Sequence, residues 1–327
     1  MDSQIFLATK HGLLVARKTA NEWTVVSGGI AEQHVTSVIA REGVVLAGTT
    51  RGVYRSDDGG QTWSAASVGL RDQRVRWMAF HPDTSDLEFA GTEPANIYVS
   101  HDGAQTWRGC PEVASLRELH RWMLPYSPEA GCVRGFAFHG SRAYAAVEVG
   151  GVLRSDNSGE TWKLAEGSDG DPNLDGPPEP LVYPDVHSIA VHPSSRDLVY
   201  APTGGGFYRS MDGGKTWKMF YDCYVRAVWV DAAKPDHMII GPADGVSENG
   251  RIEESRDGGK TWLLASSGLQ VPWAEYMVER FTQTDDELLA VLSNGQLLSA
   301  PLANFRWRRI LPDVEGVTCV TTMAPSP

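Results

Sequence analysis

The stretch Ser56-Asp57-Asp58-Gly59-Gly60-Gln61-Thr62-Trp63 decides the fold, because its pattern recurs along the chain. Ser-x-Asp-x-Gly-x-Thr-Trp returns, in full or with one change, at Ser100–Trp107, Ser155–Trp162, Ser210–Trp217 and Ser255–Trp262. Ala104 replaces the glycine of the second copy, and Asn157 replaces the aspartate of the third. A repeat every 40 to 55 residues or so indicates a chain built from one structural unit used several times.

Each copy is predicted to be a turn between two strands. An apolar strand precedes it, as in Gly52-Val-Tyr-Arg-Ser56. The Ser, Asp and Thr side chains can hydrogen bond to nearby backbone groups, and glycine adopts backbone angles that other residues avoid. The closing Trp begins the next strand and carries a large apolar area suited to packing between two sheets.

On these residues the sequence resembles the Asp-box proteins, whose motif is also called the bacterial neuraminidase repeat. The group includes sialidases, xyloglucan hydrolases, sortilin-type receptors and photosystem assembly propellers. The copies that begin at Ser56, Ser210 and Ser255 match the motif fully. The resemblance implies a β-propeller and covers nearly the whole chain.

Tryptophans outside the intact copies extend the series, since Trp23 and Trp307 follow degenerate versions of the same hairpin. Seven positions result: Trp23, Trp63, Trp107, Trp162, Trp217, Trp262 and Trp307. We therefore expect an all-β, seven-bladed β-propeller of four-stranded antiparallel blades, forming one domain over residues 1–327. The C-terminal segment Gly316–Thr322 is expected to close the ring by pairing with the N-terminal blade.

Composition limits the function classes. A net charge of −12 argues against nucleic-acid binding, which needs a basic surface. There is no long apolar run or leader pattern, so we expect a cytoplasmic monomer that does not enter a membrane; removal of a signal before this chain begins is the alternative. Cys110, Cys132, Cys223 and Cys319 lack metal-site spacing. Reduced thiols are favoured over a Cys110–Cys132 pair, and no metal or cofactor is expected.

One residue from each repeat contributes to a candidate binding ring. It is the residue that follows the first apolar residue of the first strand of that repeat. In related propellers ligands meet one face and the Asp boxes lie at the opposite rim, which implies a scaffold role for the boxes. The aligned positions are Thr36, Arg76, Arg134, His187, Arg226, Glu279 and Thr318. Arginine suits carboxylate or phosphate, and histidine titrates near neutrality, so the ring predicts an anion pocket. The alternative is an internal ion-pair network with neighbouring acids.

Two long connections lie on the same face, and long loops in compact repeats are often functional. The connection from Trp107 to Val133 carries Trp122 and Tyr126, which would suit a sugar or an aromatic ligand. The connection from Trp162 to Val186 is rich in Asp and Gly but lacks the closing Glu of a calcium loop. A solvated loop is favoured there over a metal site.

Two functions fit these features. The first is a non-catalytic binding module whose Arg-lined mouth takes an anionic small molecule, a carbohydrate or an acidic protein segment, as resemblance to photosystem assembly propellers implies. The second is a glycoside hydrolase, sialidase-like or other, acting on an anionic sugar. By resemblance, Arg76, Arg134 and Arg226 would imitate the sialidase arginine triad, although the Arg-Ile-Pro signature is absent.

A hydrolase needs two carboxylates across the scissile bond, about 5 Å or about 6.5–9.5 Å apart. Glu93 and Glu148, in the loops between second and third strands of adjacent repeats, are the candidate catalytic pair. A paired carboxylate with a strongly perturbed pKa would favour an enzyme, whereas carboxylates paired with arginine would favour binding.

Overall fold

The computed structural model describes residues 3–20, 22–127 and 130–324. In these ranges the chain forms 28 strands and one helix. The strands and the helix are β1 (Gln4–Thr9), β2 (Gly12–Thr19), β3 (Glu22–Gly29), β4 (Val35–Arg41), β5 (Val44–Thr49), β6 (Gly52–Ser56), β7 (Ser64–Ala65), β8 (Arg74–Phe80), β9 (Glu88–Glu93), β10 (Ile97–Ser100), β11 (Arg108–Gly109), α1 (Pro111–His120), β12 (Cys132–His139), β13 (Arg142–Glu148), β14 (Gly151–Ser155), β15 (Lys163–Leu164), β16 (Ala190–Val191), β17 (Val199–Thr203), β18 (Gly206–Ser210), β19 (Lys218–Tyr221), β20 (Tyr224–Val230), β21 (Met238–Ala243), β22 (Glu253–Ser255), β23 (Leu263–Leu264), β24 (Val278–Gln283), β25 (Glu287–Leu292), β26 (Leu297–Pro301), β27 (Arg308–Ile310) and β28 (Val317–Ala324).

These strands form a β-propeller with six sheets rather than seven. Five sheets have four antiparallel strands each: β8–β11, β12–β15, β16–β19, β20–β23 and β24–β27. The sixth has eight strands in the order β3-β2-β1-β28-β4-β5-β6-β7. The prediction of seven four-stranded blades is therefore wrong, because the structure has five such blades and one larger sheet.

The last strand explains the difference. β28 pairs antiparallel with β1, where Leu7 lies opposite Val320. Its final residues also pair in parallel with β4, where Met323 lies opposite Ala40. This second pairing joins the N-terminal and following repeats into one continuous sheet. Counting tryptophans could not reveal it, since it depends on backbone hydrogen bonds at the end of β28.

Neighbouring sheets pack closely through apolar side chains and glycines. Phe89 on β9 meets the edge of Trp162 from the next repeat, with ring centroids 6.4 Å apart. Gly91 of the same strand lies against Val133, and a Cβ added there would come within 2.7 Å of the valine side chain. Only glycine leaves room for that approach. Sheet-to-sheet burial of this kind forms most of the core.

The Asp boxes are rigid hydrogen-bonded turns. Ser56 Oγ donates to Asp58 Oδ1 at 2.7 Å and accepts from the Gly60 amide at 2.8 Å. Thr62 donates from its amide and its hydroxyl to Asp58, at 2.9 and 2.6 Å. In the third copy Asn157 keeps the acceptor role, receiving the Ser155 hydroxyl at 2.8 Å. The boxes close the turns from the third to the fourth strands, which supports a structural role.

The connection from Trp107 to Val133 contains α1, which the sequence analysis did not predict. Pro111 at the first turn fits a helix start, and Arg121 in the left-handed region ends it. Cys110 and Cys132, at either end of this connection, are buried free thiols. Within the described residues, no helix has the length and apolar character needed to cross a membrane.

Candidate functional site

A β-bulge near the start of each regular first strand positions the ring residues. In β4, Val35 pairs with Thr49 and Ser37 with Gly48, so Thr36 between them is left unpaired. A similar register shift leaves the ring residue unpaired in five further strands: Arg76, Arg134, Arg226, Glu279 and Thr318. In β20 it leaves Ala227 unpaired as well. A bulge re-aims a side chain, so these positions are structurally equivalent.

Arg134 lies at the centre of this arrangement. Its Nη1 is 3.2 Å from Glu148 Oε2, and its Nη2 is 3.4 Å from Glu279 Oε2. Burial alone would lower the pKa of Arg134, but the two carboxylates hold it above its ordinary value. Because β12 and β24 belong to sheets that are not sequence neighbours, the Arg134–Glu279 contact shows that the ring residues converge.

Arg226 and Arg76 also pair with carboxylates. Arg226 forms an ion pair with Glu279 and a hydrogen bond of 3.0 Å to the Tyr224 hydroxyl. Arg76 Nη1 lies 3.0 Å from Glu93 Oε2, an oxygen that Arg74 approaches to 3.4 Å. One carboxylate therefore serves two guanidinium groups, and this side of the ring keeps an excess of positive charge.

Arg280 was not among the predicted residues, although it lies beside Glu279. It donates to the backbone carbonyls of His187 and Arg134, both at 3.0 Å, and stands 4.4 Å over the Trp77 ring. Burial and then the nearby Arg134 lower its pKa to about 10. Among the described residues it has no ion-pair partner within 4.0 Å.

A pocket of about 230 Å³ opens at this cationic side and is called the mouth pocket below. Five basic side chains and one carboxylate line it: Lys10, Arg74, Arg76, Arg134, Arg280 and Glu279. His34 also lines the pocket, and its pKa is lowered by burial and then by Lys10. A positive local potential therefore exists in a chain whose net charge is −12.

A second cluster lies on the other side of Arg134. Ligand atoms of Glu148, Asp185 and His187 lie within 4.8 Å of one another. Burial and then Glu148 raise the pKa of Asp185 to about 7. For Glu148 itself, burial acts to raise the pKa, but Arg134 and a thiol hydrogen bond from Cys132 bring it below its ordinary value.

His187 in this cluster is neutral. It is fully buried, and burial with the charges of Arg134 and Arg226 holds its pKa well below the ordinary value. Arg134 Nη1 lies 3.3 Å from His187 Nδ1. Because a guanidinium group only donates, Nδ1 accepts and Nε2 carries the proton, facing Asp185 Oδ2 at 3.4 Å. Arg134 Nη1 already contacts both Glu148 Oε2 and His187 Nδ1, so a cation bound by this cluster would lie beside a guanidinium charge.

The remaining predicted residues have different positions. Trp122 is fully buried, donates to the Gly170 carbonyl at 2.8 Å and belongs to the core. Tyr126 is 58% exposed and receives a 3.4 Å hydrogen bond from Arg76. Glu93 and Glu148 bind different arginines, and the carboxylate next to Glu148 is that of Asp185.

Sequence reasoning missed several residues of the mouth pocket: Lys10, His34, Arg74 and Arg280. A signal for two of them was available, since Arg74 and Arg280 flank ring positions in the aligned first strands. Lys10 follows β1 directly, in the turn equivalent to the one after Glu93. One position per strand is too few, because three residues of β8 and two of β24 line the pocket.

Comparisons with known proteins agree with this architecture. The family model described as "BNR/Asp-box repeat" matches residues 54–65. No curated protein sequence matches significantly. A GH74 xyloglucanase from Xanthomonas campestris is similar in structure, with a TM-score of 0.60 and 17% identity. The alignment covers 86% of this chain and 45% of that enzyme, so this chain corresponds to less than half of its length.

Similar structures also include an ancestral GH74 enzyme and a YCF48 protein bound to D1 peptide. The first has a TM-score of 0.62 and 17% identity over 84% of this chain and 38% of that one. The second has a TM-score of 0.59 and 15% identity over 91% of this chain and 94% of that one. At such identities the likeness concerns the fold. Together with the repeat match at residues 54–65, it shows a β-propeller fold that contains Asp-box turns.

Proposed function

We propose that this propeller is a non-catalytic binding module that takes a carboxylate or phosphate group in the mouth pocket. The observation that carries the proposal is the lining of that pocket, with five basic side chains against the single carboxylate of Glu279. Arginine and lysine donors that lack enough acceptors are suited to an anionic ligand, which supplies both charge and hydrogen-bond acceptors.

The hydrogen-bond pattern supports this proposal. Arg74 and Arg76 share the same oxygen of Glu93, and Arg280 binds only backbone carbonyls and an aromatic face. Lys10 is exposed and forms no ion pair with a described residue. An anion at the pocket would therefore meet cations that are only partly neutralised, rather than having to break a complete network.

The size of the pocket limits the ligand. A volume of about 230 Å³ is below the range of about 300–1,000 Å³ that is typical of sites enclosing a whole small molecule. It suits one anionic group with a small body attached, such as a sugar acid, or an acidic side chain of another protein. The YCF48 propeller bound to D1 peptide is a case of similar fold with a peptide ligand.

Calorimetric titration at low and moderate salt tests the proposal, with phosphate, glucuronate, sialic acid and an acidic hexapeptide as probes. We expect binding to one or more probes that weakens with salt. Arg74→Gln, at an exposed arginine, should weaken it, and Glu93→Gln should strengthen it by freeing two guanidinium groups. Arg108→Gln, on an exposed arginine outside the mouth pocket, is the matched control. Failure of every probe, or equal binding by all variants, would contradict the proposal.

A glycoside hydrolase is the second candidate, favoured by one observation. Glu148 and Asp185 are adjacent carboxyl groups whose pKa values move in opposite directions, and such pairs can divide the roles of base and acid. However, neither residue lines the mouth pocket. Turnover of an aryl glycoside by the native protein, lost in Asp185→Asn but retained in Asp285→Asn, would favour the hydrolase. Anion binding without turnover would favour the binding module.

A further inference from the structure

A separate groove lies beside the turn between β17 and β18, away from the mouth pocket. Its volume is about 370 Å³, and one wall is the connection from Trp162 to Val186. The charged residues of its lining are all acidic: Asp175, Glu179 and Asp222. Tyr183 and Tyr208 contribute aromatic surface, and we call the site the tyrosine groove.

Packing holds both tyrosines in place. The Tyr183 ring lies on Gly205, where an added Cβ would be 2.5 Å from the ring, and its hydroxyl donates to the Leu174 carbonyl at 2.8 Å. Tyr208 is paired with Ala201 in the sheet and is only 8% exposed. The connection from Trp162 to Val186, which forms one wall, is also held in place, because the Pro180 carbonyl accepts a hydrogen bond from the Trp217 amide at 2.8 Å.

The Tyr208 hydroxyl makes no hydrogen bond with any residue that the structure describes, although the side chain is more than nine-tenths buried and lines the groove. The hydroxyl itself is accessible from the groove and can both donate and accept a hydrogen bond. It is therefore available to a polar group that enters the groove.

The electrostatics of the groove select the charge of that group. Burial and then Tyr183, Glu179 and Asp222 raise the pKa of Tyr208. The three carboxylates form no ion pairs within the described part of the chain. The Tyr208 hydroxyl, which can accept a hydrogen bond, therefore lies in a negative potential. The aromatic faces beside it also attract cations.

We propose that the tyrosine groove binds a protonated amine. The N–H groups would donate to the Tyr208 hydroxyl and to the carboxylates, and the alkyl part would lie on the Tyr183 ring and on Met219. A bare metal ion fits less well, because these three carboxylates do not form a cluster within 4.8 Å, unlike Glu148, Asp185 and His187. The amine can be a free compound or the side chain of a lysine in another protein.

Titration followed by NMR or calorimetry tests this proposal with n-butylammonium, Nα-acetyl-lysine amide, a lysine-rich peptide and neutral 1-butanol. We expect the amines to bind and 1-butanol to bind at least tenfold more weakly. Tyr208→Phe keeps the ring and should weaken amine binding about tenfold, as expected for a hydrogen bond to a charged group. Asp222→Asn should weaken it roughly two- to fivefold. Asp285→Asn, an exposed aspartate elsewhere, is the control.

The sources of the amine are distinguished by comparing the peptide with the free amines. Tighter binding of the lysine-rich peptide supports a protein lysine, and equal or weaker binding supports a free amine. Butylammonium that binds no better than 1-butanol would overturn the proposal, as would unchanged affinity in both groove variants. A thermal shift with calcium chloride but with no amine would assign the groove to a metal instead. None of these outcomes depends on the mouth pocket.

Discussion

Asp185 Oδ2 lies 3.4 Å from the protonated Nε2 of His187, and Asp185 Oδ1 has no hydrogen-bond partner among the described residues. The pKa of this carboxyl group is raised to about 7 by burial and by Glu148. The cluster of Glu148, Asp185 and His187 therefore contains a carboxyl group that is partly protonated at neutral pH, and its charge affects stability.

Asp185→Asn should stabilise the protein at alkaline pH. An acid whose pKa is about 7 in the folded protein and 3.8 when unperturbed binds its proton more tightly in the folded state. The free energy of unfolding therefore falls as pH rises from about 4 to about 7, and the loss persists above that range. Asn cannot ionise, so we expect a gain on the order of 2 kcal/mol at pH 8 that disappears near pH 4.

Urea unfolding at pH 4, 6 and 8 measures this effect. Asp285→Asn, at an exposed aspartate with no ion pair among the described residues, should change stability little at every pH. A loss of stability in Asp185→Asn that is larger at pH 8 than at pH 4 would show instead that the fold stabilises the carboxylate form.

Arg134→Met should be strongly destabilising. The substitution leaves Glu148 and Glu279 without their shared guanidinium, and breaking a buried ion pair typically costs about 3–5 kcal/mol. Arg108→Met removes an exposed pair with Glu160 and should cost about 0–1 kcal/mol. Denaturant unfolding compares the two. A triple variant with Glu148→Gln and Glu279→Gln should recover part of the loss, and no recovery would mean that Arg134 acts through packing alone.

His34 should report the positive charge of the mouth pocket. Its pKa lies below the ordinary histidine value of 6.5 because of burial and then because of Lys10, Arg74 and Arg76. Arg74→Gln removes one of these charges at an exposed position, so the pKa of His34 should rise. NMR titration of the imidazole signals measures the change. Arg108→Gln should leave it unaltered, and an equal response to both variants would point to a general charge effect.

Much of the fold followed from the repeat, but contacts between repeats did not. The alternation of apolar residues and threonines predicted a C-terminal strand, and β28 spans Val317–Ala324. Its extra pairing with β4 left no sequence pattern, so the blade count was wrong. The same limit applied to Trp122, which looked like a ligand contact although it is core, because size and aromaticity alone do not distinguish the two.

The candidate site was predictable in part for a similar reason. Ring positions such as Arg134 and Glu279 could be aligned because each follows a valine at a strand start. The neutral state of His187 could not be inferred, since it results from burial and from arginines that other strands supply. Asp185 was visible as an acid in a loop, but its raised pKa depends on the position of Glu148.

Glycines at one position of the Asp boxes should differ sharply in their tolerance of alanine. This position, the glycine of the Ser-x-Asp-x-Gly-x-Thr-Trp pattern, has a positive φ in every copy. Ala104 occupies it in the second copy, with a φ of 64°. An added Cβ at Gly159 would lie 2.2 Å from the Phe89 ring. At Gly60, in contrast, the nearest atom would be 3.4 Å away, on Phe6.

Both alanine variants carry the backbone penalty of about 1–2 kcal/mol for a left-handed residue. Gly159→Ala adds a clash with a buried ring, so we expect it to lower the free energy of unfolding by about 3 kcal/mol or more. Gly60→Ala should remain within about 1–2 kcal/mol of the native protein. Thermal and urea unfolding measure both. Equal losses in the two variants would mean that the turn conformation, rather than the packing of the neighbouring sheet, determines which residue the box accepts.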